Sequence, residues 1–281
     1  MRLIKALIIL PVIFFVITGI PLKGQISIAP TALYVHDDSR IASLMTGNGY
    51  DAAREISISF EFGYPSSDSL GNLVMVYNDS AAEAVYGLGS KLRAFPRHFV
   101  LEPGSQQIVR VQVLPDDDKP DGAYWSRMII RSSVAAKDID KNFISEGVTT
   151  SINYIFKQNI VLFYLKGKVK TGLVVGEVKT NVDKGRLTVV SELKAEGNCP
   201  YIGSVNLRLS DRQGNVIARH RQTVVVYFDI LKRFEMELGP GGLAPGRYNL
   251  EFIYQTKRND IPASDLVRSD PVHYKIPIVI E

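Results

Sequence analysis

The side chains that could catalyse a reaction or bind a metal ion are scattered along this chain. No Gly-x-Ser-x-Gly, HExxH or Gly-x-x-x-x-Gly-Lys-Ser/Thr motif occurs in the sequence. His36-Asp37-Asp38 combines residue types that can ligate a metal, but such a run is more typical of a solvated turn. Asp116-Asp117-Asp118 lacks the alternating Asp-x-Asp-x-Asp-Gly spacing of a calcium loop and also fits a turn. We therefore expect no enzymatic activity, no cofactor and no metal site.

The most informative segment is Ser151–Tyr164 (SINYIFKQNIVLFY), a strongly β-favouring run. Alternate residues of a strand share one face, and here one face is apolar at every position but one. The apolar residues on that face are Ile152, Tyr154, Phe156, Ile160, Leu162 and Tyr164. The row would be about 40 Å long, which exceeds a usual sandwich strand. Such a strand is either buried in its own domain or paired by another chain through β-strand addition, and the pattern leaves both interpretations open.

The elements around this segment predict an all-β protein. Short apolar and β-branched segments alternate with turn residues every 8–15 residues or so, as in sandwiches and barrels. Residues 26–35 predict one opening strand bent around Pro30, Val216–Tyr227 predicts a strand with a break inside, and Ser80–Tyr86 is the one helix-like stretch. The pattern restarts after Lys166-Gly167-Lys168. We predict two immunoglobulin-like β-sandwich domains in tandem, residues 25–166 and 167–281, after an N-terminal signal peptide.

The first 24 residues carry the features of a secretory signal. Arg2 and Lys5 precede an apolar run from Ala6 to Ile20, which ends at a helix-breaking proline. The run is shorter than the roughly 20 apolar residues that a membrane span needs. No cysteine lies near the expected cleavage site, so we expect a protein released into the periplasm. An uncleaved, tethered form remains the alternative, because Leu22 is large for a residue three positions before a cut at Gly24.

The charge balance and the cysteine content each exclude one possibility. Residues 1–24 hold three of the 33 basic residues and none of the 29 acidic ones, so 30 basic residues face 29 acidic ones after cleavage. This balance argues against a nucleic-acid partner, which would require a clustered basic field. The single cysteine, Cys199, excludes an intramolecular disulfide and is expected to be buried or to lie in a turn.

Two segments resemble the periplasmic pilus chaperones of the PapD-like family. Leu162-Phe163-Tyr164, after alternating apolar residues, is similar to the last strand of the first domain in that family. Phe95–Val111 contains Leu101-Glu102-Pro103-Gly104 and Arg110, and is similar to the family's Pro…Leu-x-Pro-Gly-x-x-Gln-x-x-Arg segment. The resemblance covers residues 26–166, whereas the remainder matches only as a second immunoglobulin-like domain.

The resemblance implies a mechanism. Members of the family insert alternating apolar residues of this strand into a pilus subunit that lacks its own final strand. The matching positions are Ile152, Tyr154 and Phe156, and we extend the predicted subunit-binding row to Ile160 and Leu162. The implied partners are pilus, fimbrial or other surface-fibre subunits, with an outer-membrane assembly component as an additional candidate. Self-association through the same strand is a further alternative.

This chain departs from the family where the subunit's C-terminal carboxylate is bound. The family places an Arg on the first strand and a Lys just before Leu-Phe-Tyr, and these positions are Ala32 and Val161 here. Lys157, Lys166 and Arg97 are the alternative bases. A second hypothesis is therefore kept: an exported structural or adhesive immunoglobulin-like module that donates no strand and buries residues 152–156 internally.

Overall fold

A computed structural model describes residues 25–135, 154–183, 185–239 and 242–280. The predicted signal peptide lies outside these residues. So do most of the loop predicted over residues 133–150 and the first residues of the predicted long strand, including Ile152.

The described residues form strands almost throughout, which confirms the predicted all-β class. The elements, in chain order, are β1 (Ile26–Ala29), β2 (Ala32–His36), β3 (Ile41–Asn48), β4 (Arg54–Glu61), β5 (Tyr64–Ser67), β6 (Leu73–Val76), α1 (Ser80–Tyr86), a 3-10 turn (Gly89–Lys91), β7 (Leu92–Phe95), β8 (His98–Leu101), β9 (Gln106–Val113), β10 (Gly122–Val134), β11 (Phe156–Lys166), β12 (Thr171–Asp183), β13 (Arg186–Gly197), β14 (Tyr201–Ser210), β15 (Val216–Val226), β16 (Asp229–Glu237), β17 (Gly246–Gln255) and β18 (Val272–Ile280).

The first sandwich packs sheet β1-β3-β9-β7 against sheet β2-β11-β10-β4-β8. The predicted single opening strand is instead two strands in opposite sheets. β1 pairs with β3, the chain crosses at the cis Ala29-Pro30 bond, and β2 then runs parallel to β11. Proline has no N–H to donate to a ladder, which suits it to the crossing point between the sheets. The crossing leaves β11 beside a much shorter neighbour.

The second sandwich packs sheet β12-β13-β16 against sheet β15-β14-β17-β18. Alternate residues such as Val205, Leu207 and Phe252 are buried between the sheets, as period-two patterning requires. The break predicted inside Val216–Tyr227 corresponds to a register shift between Val216 and Ala218 in the pairing with β14, and β15 continues past it to Val226. It is an edge strand of its sheet, where charged side chains can face solvent without interrupting the ladder.

A segment between β4 and β7 connects the two sandwiches. It contains the β5–β6 hairpin and α1, whose predicted span of Ser80–Tyr86 is confirmed. The hairpin reaches the second sandwich, where the Arg233 N–H donates to the Gly71 carbonyl at 3.1 Å and the Leu231 N–H donates to Ser67 Oγ at 2.8 Å. These bonds tie the hairpin to β16.

Aromatic rings fill the junction between the sandwiches. Trp125 is 1 % exposed, and its ring lies 4.8 Å from the rings of Tyr86 and Tyr227. Phe163 of β11 stacks on Tyr34 of β2 at 5.3 Å. The outward face of β11 is therefore covered at this end of the strand. Cys199 is buried in the same cluster, as expected.

Candidate strand-donating edge

The strand β11 has two unequal neighbours. β10 pairs with it along its whole length, from Ser132 opposite Phe156 to Gly122 opposite Lys166. On the other side, β2 covers only Val161–Leu165. Within the described residues, Phe156–Ile160 therefore has a strand partner on one side only. We call Phe156–Ile160, together with the preceding Tyr154 and Ile155, the open edge.

The direction of the backbone groups follows from one hydrogen bond to the β2 side. The Asp37 N–H donates to the Leu165 carbonyl at 3.1 Å, so the backbone groups of Leu165 point towards β2. Backbone groups alternate sides along a strand, so those of Asn159 and Lys157 point the same way. No strand of the described residues pairs with them there. The open edge thus presents the donors and acceptors that an added strand would use.

The apolar face of β11 passes from the inside of the sandwich to the outside. Ile160 and Leu162 are 6 % and 0 % exposed and belong to the core of the first sandwich, whereas Phe156 is 47 % and Tyr154 is 64 % exposed. Gln158 lies between the two groups, and its amide donates to the Ile26 carbonyl of β1 at 3.0 Å. This bond closes the sandwich, and the apolar row continues beyond it.

The predicted subunit-binding residues consequently fall into three groups. Tyr154 and Phe156 are exposed on the open edge, while Ile152 lies outside the described residues. Ile160 and Leu162 fill the core of their own domain and could reach a partner only if that domain opened, so their predicted contact with a subunit stays a prediction. The exposure of Tyr154 and Phe156 also differs from the internal burial that the structural-module hypothesis expects.

The exposed rings are partly ordered by contacts with one another. The ring of Phe156 lies 6.2 Å from that of Tyr50 and 6.5 Å from that of Tyr154, between ring centroids. The guanidinium of Arg54 lies 3.6 Å from the centroid of the Tyr50 ring, within cation–π distance. These contacts restrain the rotamers, so less side-chain entropy remains to be lost when a partner covers the rings.

Ala32 of β2 and Val161 of β11 lie directly opposite each other in the sheet. The two positions that are basic in the family are therefore adjacent here, and neither is basic. The nearest base in the register is Arg127, which lies opposite Val161 on β10. Its Nε donates to Asn159 Oδ1 at 2.7 Å, and the Asn159 amide donates to the Tyr77 hydroxyl at 3.1 Å. Sequence analysis missed Arg127, although the alternation of β10 already places it on a different face from Met128.

The three alternative bases have other partners. Lys166 Nζ donates to the carbonyls of Asp116, Asp117 and Lys119 and so holds the acidic turn in place. Arg97 Nε donates to the Ile58 carbonyl at 3.2 Å. Lys157 stays on the open edge, with its Nζ 3.6 Å from Glu61 Oε1 in a solvent-exposed ion pair.

The polar turns that could have been metal sites have structural contacts. The Tyr164 hydroxyl donates to Asp37 Oδ1 at 2.5 Å, and Arg40 Nε also contacts this oxygen at 3.2 Å. The hydrogen bond from Tyr164 lowers the pKa of Asp37, with a further contribution from Arg40. Across residues 25–280, gaps aside, no three His, Cys, Asp or Glu side chains group as metal ligands. None of the helices described is long and apolar enough to cross a membrane.

No protein-family model matches this chain, and no curated protein matches its sequence. A similar solved structure is the YadV chaperone, at 11 % identity and a TM-score of 0.47, covering 89 % of this chain and 99 % of that one. Another is the CsuC–CsuE chaperone–tip adhesion subunit complex of Acinetobacter baumannii, at 11 % identity and a TM-score of 0.46, covering 89 % and 98 %. The Salmonella enterica SafA pilin–SafB chaperone complex matches at 15 % identity and a TM-score of 0.42, covering 90 % and 96 %.

Proposed function

We propose that this protein is a periplasmic chaperone for pilus, fimbrial or other surface-fibre subunits, and that it donates the open edge of β11 to them. The observation that carries the proposal is a strand that has no partner on one side, among the described residues, where its apolar row becomes exposed at Phe156 and the preceding Tyr154. The resemblance of Leu162-Phe163-Tyr164 and the Leu-x-Pro-Gly segment to PapD-like chaperones supports the same role.

The energetics suit a transient carrier. Covering Tyr154 and Phe156 would contribute on the order of 1.5–3 kcal/mol each, before the cost of ordering the partner. Each backbone hydrogen bond to Lys157 or Asn159 would add about 0.5–1.5 kcal/mol net. Such bonds do not depend on side-chain identity, so one edge can accept several related subunits. Binding at this level protects an incomplete subunit and still allows its release during assembly.

The export signal predicted at the N-terminus places such a carrier where newly exported subunits emerge. In this proposal the bound subunit uses the open edge in place of its own missing strand. An outer-membrane assembly component would meet the complex later, through surfaces that the subunit leaves uncovered.

Phe156→Asp tests the proposal. We expect the variant to fold and remain soluble, because Phe156 lies outside the core, and to lose the surface-fibre subunit that co-purifies with the wild type from cross-linked cell envelopes. Ile108→Asp is the matched control, since Ile108 is 56 % exposed on β9 of the opposite sheet. Equal recovery of the subunit with Phe156→Asp and with Ile108→Asp would refute strand donation. Failure of the wild type to capture any such subunit would refute the chaperone role itself.

A further inference from the structure

The outward face of sheet β15-β14-β17-β18 carries aligned basic side chains. The register places Arg219 opposite Arg208, Arg208 opposite Glu251, and Glu251 opposite Lys275, so these four residues form one row across all four strands. With strands about 4.8 Å apart, the row is about 14 Å long. It lies on the solvent side, because the intervening residues of each strand fill the core of the second sandwich.

Two further bases extend this row in both directions along the strands. Arg221 lies two residues beyond Arg219 on β15, and its row continues through Asn206 and Ile253 to His273. Arg247 lies four residues before Glu251 on β17 and faces the same side, because alternate residues share a face. We call this surface the basic face: Arg208, Arg219, Arg221, Arg247, Lys275 and His273, with Glu251.

The charges on the basic face are unbalanced. Glu251 forms an ion pair with Arg208 at 2.9 Å, which leaves Arg219, Arg221, Arg247 and Lys275 without an ion pair among the described residues. The chain beyond residue 24 is nearly neutral, with 30 basic residues against 29 acidic ones. The basic face therefore carries a net positive charge, because its one acidic residue, Glu251, balances only one of its bases.

The opposite sheet of the same sandwich has a different pattern. There Arg186 pairs with Glu235 and Glu237, Arg233 pairs with Glu235, and Lys179 pairs with Glu177. Both arginines of that sheet therefore have acidic partners, whereas Lys194 and Lys232 have no ion pair among the described residues. The basic face differs in that three of its four arginines lack an acidic partner among the described residues.

We propose that the basic face docks on a membrane leaflet that contains acidic phospholipids. A four-stranded sheet presents its charges over a broad, gently twisted surface, which suits the extended negative surface of a bilayer. The apolar Val279, 63 % exposed, lies opposite Arg247 in the register and can contact the interfacial region. The predicted export signal brings the mature chain across a membrane, so a leaflet is present where the protein would act.

This inference is independent of strand donation. The basic face belongs to the second sandwich, whereas the open edge belongs to the first. A docked protein would therefore keep its open edge available while remaining close to the membrane from which subunits emerge. Loss of docking should leave subunit capture by the purified protein unchanged, and loss of the open edge should leave docking unchanged.

The test measures co-sedimentation of the mature protein with vesicles. One set is phosphatidylcholine alone, and the other contains about one third phosphatidylglycerol. We expect binding to the acidic vesicles only, and we expect it to weaken as added salt screens the charges. The double variant Arg219→Gln/Arg221→Gln should bind about twenty-five-fold more weakly, at roughly fivefold for each arginine near an acidic surface.

The matched control is Lys179→Gln/Lys194→Gln, which removes two exposed charges from the opposite sheet. It should bind as the wild type does. Equal binding by both double variants would overturn the proposal, because net charge and not the basic face would then be responsible. The proposal would also be overturned if the wild type did not bind acidic vesicles, even if an acidic protein were found to bind at the basic face.

Discussion

A proline at position 157 separates the backbone contribution of the open edge from its side chains. The Lys157 N–H points away from β10, so Lys157→Pro removes no hydrogen bond of the β10–β11 ladder. The lost ion pair with Glu61 is exposed on both sides and is worth at most about 1 kcal/mol. The residue before a proline prefers extended backbone, which Phe156 already has as the first residue of β11.

The neighbouring position should behave differently. The backbone of Gln158 faces Ile130 of β10, which is fully buried. Gln158→Pro would therefore remove a ladder bond and leave a buried carbonyl unpaired, at a cost of about 1–3 kcal/mol. It would also remove the amide contact with Ile26 that closes the sandwich. We expect Gln158→Pro to be clearly less stable than Lys157→Pro in urea unfolding.

Lys157→Pro, which should change stability little, should have a clear effect on binding. Lys157→Pro should weaken capture of the surface-fibre subunit about tenfold or more, because an added strand loses one backbone bond, worth about 0.5–1.5 kcal/mol, and meets the proline ring. Lys157→Ala, which removes only the charge and the stem, should bind within about threefold of the wild type. Calorimetry with the purified subunit measures both. If Lys157→Pro and Lys157→Ala bind equally well, the backbone of this edge does not pair with the subunit.

Two further predictions concern stability. The hydrogen bond from Tyr164 lowers the pKa of Asp37 below the ordinary 3.8, so this contact stabilises the fold above that pH, and the stabilisation is lost as pH falls through the folded pKa. Tyr164→Phe should therefore be less stable than the wild type at pH 7 and equally stable in acid. A difference in stability that does not depend on pH would contradict this prediction. Gly71 has φ +79° and an added Cβ would lie 3.0 Å from the Arg233 nitrogen, whereas Gly104 has φ +71° and open space around it. Gly71→Ala should therefore lower the free energy of unfolding by more than the roughly 1–2 kcal/mol expected for Gly104→Ala. It should also speed hydrogen exchange at the Arg233 amide. Equal losses of stability in the two variants would show that the hairpin contact contributes nothing.

Local pattern was sufficient for the class of fold and for several elements. The strict alternation of Glu55–Tyr64 predicts one strand, most of which is β4, although its last residue begins β5 in another sheet. The helix over Ser80–Tyr86 follows from its short run of helix-favouring residues. Strand β3 was not predicted, because Ile41–Asn48 contains small and polar residues. Asn48 at its end is buried and hydrogen-bonds to the Leu101 and Ala52 carbonyls, a tertiary arrangement that no local pattern contains.

Sheet membership decided what the candidate site looks like. The sequence predicted an apolar row along β11, but the position at which that row leaves the core depends on how far β2 extends beside it. The crossing at Pro30 places β2 opposite Val161–Leu165, and no other strand in the described part of the chain pairs with the preceding residues on that side. Arg127 and the basic face were missed for a similar reason. Each depends on which strands lie side by side. Arg219 and Arg221 by themselves indicate a charged strand face, but the register that aligns them with Arg208 and Lys275 follows only from the strand order.

An edge that is available to a partner must also avoid pairing with copies of itself. Unpaired strand edges are usually protected by short length, charge or cover. Here β2 covers the second half of β11, and Lys157 with Glu61 places charge beside the uncovered half. The rings of Tyr50, Phe156 and Tyr154 shield part of one another's surface. Within the described residues the open edge offers two copies only a few ladder bonds, whereas a subunit lacking a strand would gain a complete core. If the open edge is donated as proposed, we therefore expect the subunit to be preferred over self-association at equal concentration.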